Sequence, residues 1–393
     1  MVRPAGTRQT IPKRPATFCA FLPTFSVFGG PHAAVGSYVH PFFSCSVLVL
    51  LASLVSAPLA GTNEDDALPL PATLMETGLY SDWDSKTVAD GNLPYSPQYP
   101  LWTDGAAKSR WLHLPAGTYI DARNPDAWEF PVGTRVWKEF RFHGAPAETR
   151  YIERTAAGWR YASYVWRPDG STALVPARGI LNSVEVRDGV RHAIPSRTDC
   201  TACHEAGPSR LLSVSALQLS DDRDPLAPHA EALPAGAITL RALVERGLVR
   251  NLPRRFVDEA PRIQASTPVA RAAMGYLHGN CGMCHTGAGE MASLAFVLHY
   301  ALQRTPDDAG DALSTTLGRP SHFLAASHPA VRERIAAGNP DASMLVARMA
   351  SRHPVLQMPP LGTRVVDEDA VALLRRWIAD DTSRGPQRHA SAH

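Results

Sequence analysis

The chain has 393 residues, with 39 Lys+Arg against 37 Asp+Glu and six cysteines. A length of this order usually divides into two domains, and a formal charge of +2 gives no strong positive field for nucleic acid. Of the six cysteines, Cys19 and Cys45 lie in the first sixty residues and the other four stand in two Cys-x-x-Cys pairs, which leaves no thiol for a disulfide framework.

Residues 1–60 read as a signal peptide with an upstream extension. Arg3, Arg8, Lys13 and Arg14 precede the apolar run Ser46-Val-Leu-Val-Leu-Leu-Ala-Ser-Leu-Val-Ser-Ala57, with cleavage expected after Ala57 or Ala60. The run is shorter than the roughly 20 apolar residues that span a bilayer, so no stable membrane span is expected after cleavage. An uncleaved anchor is the alternative. Losing this segment removes four basic and no acidic residues, so the remainder carries 35 Lys+Arg against 37 Asp+Glu.

Residues 61–99, rich in Pro, Asp and Gly, read as an extended lead-in. From 100 to 260 the pattern is β-rich. Trp111–Leu114, Trp128–Phe130, Arg135–Phe142, Arg150–Arg154 and Trp159–Trp166 alternate apolar with polar residues, and Pro168-Asp-Gly170 and Asp188-Gly189 mark turns. Seven of the eight tryptophans lie between Trp83 and Trp166, which predicts an aromatic core in preference to a sugar-binding face. This region ends in Cys200-Thr-Ala-Cys203-His204, an apolar segment from Leu211 to Leu219, a Pro-rich stretch at 225–236 and a predicted helix from Thr239 to Arg250.

Residues 261–383 form the next unit, and 384–393 a tail. Thr267 is a helix cap with Pro268 at the first helical position, and that helix leads into Cys281-Gly-Met-Cys284-His285. Near the end stands Met358-Pro-Pro-Leu-Gly362. Asp367 then caps a helix whose Val371, Leu374 and Ile378 share one face, with Trp377 beside it.

Two Cys-x-x-Cys-His copies carry the chemistry. Two thiols one helical turn apart can each add to a vinyl group of one porphyrin, and the adjacent histidine then serves as an iron ligand. The predicted cofactors are two covalently bound haem c groups, one on Cys200, Cys203 and His204, the other on Cys281, Cys284 and His285. A redox dithiol or half of a zinc site would explain the cysteine pairs but gives the following histidine no systematic place. Cys19 and Cys45 leave with the signal, so every remaining cysteine belongs to a haem motif. Export together with cysteine reserved for a cofactor predicts the periplasm or the outer face of the cytoplasmic membrane.

Helix, Cys-x-x-Cys-His, long middle, Met-Pro-Pro-Leu-Gly and terminal amphipathic helix together resemble a class I cytochrome c domain. The resemblance implies that Met358 is the sixth iron ligand of the second haem, with Met344 and Met349 as rivals whose spacing suits a packed helix face. Residues 76–273 contain no methionine. For the first haem the histidines available nearby are His113, His143, His192 and His229, with His143 and His192 leading because both lie near strand ends; a methionine from the C-terminal unit, another donor or an open position are the alternatives.

From about 98 to 382 the chain resembles bacterial dihaem c-type cytochromes. The fold expected is α+β overall, a β-rich N-terminal domain followed by an all-α class I cytochrome c domain. The function implied is one-electron transfer between redox partner proteins of the periplasm, with no catalytic residue. The alternative is a dihaem peroxidase or oxidase with the first haem as reaction centre, and a third reading makes the β domain a docking module for a dehydrogenase.

Overall fold

Residues 69–303 and 311–382 are described in the computed structural model. The export signal expected over 1–60, the first residues of the lead-in (61–68) and the tail (384–393) lie outside them. The described residues belong to one compact unit.

A short hairpin, β1 (Tyr80–Asp82) with β2 (Thr87–Val88), precedes the main sheet. That sheet has six antiparallel strands in the order β3 (Asn92–Pro94), β4 (Ala107–His113), β6 (Arg135–Phe142), β7 (Ala145–Thr155), β8 (Gly158–Trp166) and β9 (Thr172–Leu174). Between β4 and β6, β5 (Ile120–Asp121) leaves the sheet and pairs in parallel with β12 (Val249–Arg250). A two-stranded hairpin, β10 (Glu185–Arg187) and β11 (Val190–Arg191), follows β9.

The period-2 alternation gives the sheet two different faces. On one, Trp137, Tyr151 and Tyr164 pack against Leu74 and Leu79, flanked by Trp111 and by Trp83, which stacks on Trp166 at 5.6 Å. These tryptophans are packed, as an aromatic core requires. On the other face Leu112 and Val136 join Ile120, Trp128, Leu211, Val214, Leu219, Leu240 and Leu243. The apolar segment after the first Cys-x-x-Cys-His therefore closes over the sheet. The helix expected over Thr239–Arg250 is shorter, α2 (Leu240–Glu245), because Gly247 takes a left-handed φ of 66° and the chain then enters β12.

The all-α class I cytochrome c domain expected over 261–383 is not formed. Among the described residues only α1 (Arg197–His204), α4 (Pro268–Asn280) and α7 (Glu368–Asp381) have seven or more residues. Short helices α3 (Arg255–Asp258), α5 (Ala312–Thr316) and α6 (Met344–Met349) accompany them. Between His285 and Asp367 most of the described chain is irregular, held by isolated bridges such as Leu317 with Ile335 and Pro320 with Glu333. The physical reason is local: Pro320, Pro329, Pro340 and Pro354 bias their preceding residues away from helix, and Gly318 and Gly338 are left-handed.

The two expected caps are present at α4 and α7. Thr267 accepts from the Ala270 amide at 3.0 Å, and Asp367 from the Ala370 amide at 3.2 Å. The two helices pack together through Ala270, Ala273, Leu277, Leu374, Trp377 and Ile378. Helix α4 also packs on the segment around Tyr99. Asn280 accepts from the Trp102 amide at 2.7 Å, and a Cβ on Gly275 or Gly279 would stand 2.0 Å from the Tyr99 ring or 2.4 Å from its carbonyl oxygen. Two glycines four residues apart let α4 lie directly on the strand-side segment around Tyr99.

Candidate functional site

The first motif occupies α1. Its start is fixed by a reciprocal cap: Ser196 Oγ accepts from the Asp199 amide at 3.1 Å while Asp199 accepts from the Ser196 amide at 2.9 Å. Ser-x-x-Asp before the motif was legible as this cap and was overlooked in the sequence. None of the eight α1 residues is buried, so the helix contributes little to the apolar core. Its contribution is chemical.

At the end of α1, His204 Nδ1 donates to the Arg210 carbonyl at 2.6 Å. That bond fixes the ring and leaves Nε2 as the available nitrogen. Burial, with Lys138 and Arg150 nearby, lowers the His204 pKa to about 4 against the support of the Arg210 carbonyl. The imidazole is therefore neutral at physiological pH, the form that binds a metal. The Tyr161 ring of β8 lies 5.4 Å from it.

The second motif follows α4 directly. The Cys281 amide donates to the Leu277 carbonyl at 2.9 Å, carrying the helical path into the motif, and the His285 amide donates to the Cys281 carbonyl at 3.0 Å. His285 is buried, with Phe296 at 4.6 Å, and burial followed by Arg348 and Arg334 lowers its pKa to about 4. Cys281 is pushed up to about 12 by burial and by Cys284.

The fold brings the two motifs together. The Cys203 and Cys284 thiols are near enough to act on one another, which raises the pKa of Cys203 and lowers that of Cys284. Gly207 and Gly289 keep the following turns close: a Cβ on Gly207 would lie 3.4 Å from Thr286 Cγ2, and one on Gly289 3.1 Å from the Ala206 carbonyl oxygen. Nothing in the linear sequence signals this approach, since the motifs are about eighty residues apart. All four cysteines are free thiols. Among the described residues no three His, Cys, Asp or Glu side chains converge as a zinc site needs.

Met358 is half-buried. Its amide donates to the Arg348 carbonyl at 3.0 Å, and the Arg348 guanidinium acts on His285, so the Met-Pro-Pro loop is tied to the surroundings of the second motif. Met344 and Met349 are 2% and 6% exposed in the C-terminal core, as packing residues are.

The histidines considered for the first site sit elsewhere. His192 is completely buried, its Nδ1 2.9 Å from Asp104 Oδ2 and its Nε2 3.0 Å from Glu148 Oε1, so both nitrogens are engaged by carboxylates. His143 is exposed in the β6–β7 turn, with a left-handed φ of 51°, at the end of the sheet away from Tyr161. His113 alternates onto the sheet face opposite Tyr161, and His229 Nε2 lies 2.8 Å from Asp367. Sequence reading missed the Asp104–His192–Glu148 network because its members are scattered over 88 residues. It also missed the His278–His299 ring pair, 4.8 Å apart beside the second motif.

No helix among the described residues is long and apolar enough to cross a membrane. Comparison with protein-family models, with curated proteins and with solved structures finds no match to this chain.

Proposed function

We propose that this protein is an exported dihaem c-type cytochrome that passes single electrons between redox partner proteins. The observation that carries this reading is the pair of Cys-x-x-Cys-His segments brought together by closely packed turns, with the His204 ring held by a backbone carbonyl so that Nε2 is available. The donor set suits the group: four free thiols in two pairs for thioether bonds, and two neutral imidazoles for iron.

Cys200 and Cys203 would hold one haem and Cys281 and Cys284 the other, with His204 and His285 as axial ligands. Met358 would be the second axial ligand at the C-terminal site. Haem bound there supplies a one-electron couple. The chain's own part is to fix attachment, ring orientation and burial: Arg210 aligns one imidazole, Phe296 and the cations Arg334 and Arg348 surround the other, and the Cys203–Cys284 contact puts the two attachment points side by side.

Expression in a host with cytochrome-maturation machinery tests the reading. Intact-mass measurement is expected to show two haem adducts, reduced to one in Cys200→Ala/Cys203→Ala and to one in Cys281→Ala/Cys284→Ala. A wild-type protein with fewer than two adducts overturns it.

One observation favours a second reading, a dihaem peroxidase or oxidase with the first site as reaction centre. His192 has both ring nitrogens engaged by carboxylates, His229 Nε2 lies beside Asp367, His113 alternates onto the sheet face opposite Tyr161, and His143 lies at the other end of the sheet. Spectra of the ferric protein separate the two readings: two low-spin signals support the relay, and a high-spin signal with peroxide turnover supports the enzyme.

A further inference from the structure

The sheet face beside α1 carries a charge pattern that sheets avoid. Register sets Arg110 on β4 opposite Lys138 on β6, and Lys138 opposite Arg150 on β7, with Ser163 of β8 completing the row. Opposed side chains in such a row have Cβ atoms about 4.5–5.5 Å apart, and like charges there are destabilising. Lys108, two residues before Arg110, points to the same face.

Two carboxylates answer these four cations directly. Glu231 accepts from Arg110 Nη1 at 2.5 Å and Glu148 from Arg150 Nη2 at 2.6 Å. Asp104 also acts on Lys108, but its oxygens are engaged by His192 and by the Arg364 and Val365 amides. Lys138 forms no ion pair among the described residues, and Glu231 reaches it only as a weaker influence than three cations. The Arg110 side chain is 1% exposed, yet its Nε and Nη2 have no hydrogen-bond partner. A buried guanidinium with two unmatched donors is costly unless an anion meets it.

The row adjoins the first motif. Arg150 acts on the thiols of both Cys200 and Cys203, Lys138 and Arg150 act on His204, and Tyr161, one row along the same face, touches the His204 ring. We propose that Arg110, Lys138 and Arg150, with Lys108 beside them, bind the two propionate carboxylates of the haem attached at Cys200 and Cys203. This rests on the cytochrome reading above. With Lys108 and Lys138 protonated, four cations would face two engaged carboxylates, which leaves the charge of a dianion to be supplied, and Arg110 offers two parallel donors of the kind a carboxylate accepts. As the chain stands, burial and then Arg110, Lys108 and Arg150 push the Lys138 pKa well below its usual value, and a dicarboxylate would restore its charge. A free dicarboxylate is the other source of the same chemistry.

The test uses the matured protein with Lys138→Met, Lys138→Arg and Arg110→Gln, each checked by intact mass and by its denaturation curve. Two adducts are expected in all three. A cation beside the propionates favours the reduced state, so Lys138→Met and Arg110→Gln are expected to lower the midpoint potential of the first centre and leave the second unchanged. Lys138→Arg is expected to keep the wild-type value. Unchanged potentials in both charge-removing variants, with two adducts present, overturn the proposal while leaving the cytochrome reading intact. Absence of adducts in the wild type is instead the failure of that reading. Added succinate is expected to leave the wild-type melting temperature unmoved; a saturable rise would assign the row to a free dicarboxylate and overturn the propionate assignment.

Discussion

His192 sits between two carboxylates with no water-accessible surface, and its titration is set by that position. Burial opposes its charge, but the hydrogen bonds to Asp104 and Glu148 outweigh it and raise the pKa above 6.5. Glu148 is held at about 2 by Arg150 and His192 against the opposite pull of burial. A raised histidine contributes stability that is complete below its unfolded value and lost as pH rises through its folded value. A depressed carboxylate contributes stability that is complete above its unfolded value and lost as pH falls toward the folded one. Both contributions are therefore complete between pH 4.5 and 6.5, the ordinary values of the two groups. His192→Gln is expected to be less stable than the wild type across that window, with the gap closing as pH rises above it. Urea unfolding at a series of pH values measures this, and a gap that stays constant with pH contradicts the assigned protonation.

At the scale of elements, two contacts carry definite expectations. Helix α4 reaches the Tyr99 segment only because Gly275 and Gly279 have no Cβ, so Gly279→Ala is expected to destabilise by about 1–3 kcal/mol through overpacking, in spite of alanine's better helix propensity. Trp137 is fully buried and its Nε1 donates to Thr77 Oγ1 at 2.9 Å. Trp137→Ala is expected to cost about 3–5 kcal/mol, read from denaturant midpoints. These elements show what a sequence discloses and what it withholds. Strands with strict alternation, such as Arg135–Phe142, and helices with local caps, such as Thr267 and Asp367, are legible because their determinants are a few residues apart. The all-α domain expected over 261–383 came from resemblance and not from a period, since the described part of its middle is a proline- and glycine-punctuated chain held by isolated bridges. The cysteine motifs were legible for the same local reason as the caps. Their contact, the carboxylate-bound His192 and the cation row were not, because each is created by strand register or loop return.

Across the whole molecule the two motifs behave as one region, through the Cys203–Cys284 contact and the adjoining turns. Met358 belongs to it by its backbone tie to Arg348, and a thioether ligand favours ferrous iron. Met358→Ala in the matured protein is expected to lower one of the two midpoint potentials, measured by a redox titration that resolves both. If both are unchanged, the ligand assignment fails.

Asp104 is the residue that ties this region to the end of the chain: its Oδ1 accepts from the amides of Arg364 and Val365 while its Oδ2 faces His192. During synthesis the carboxylate made near the start must wait some 260 residues for its last two donors. A truncated product stopping before position 364 would leave that carboxylate partly unmatched inside the protein.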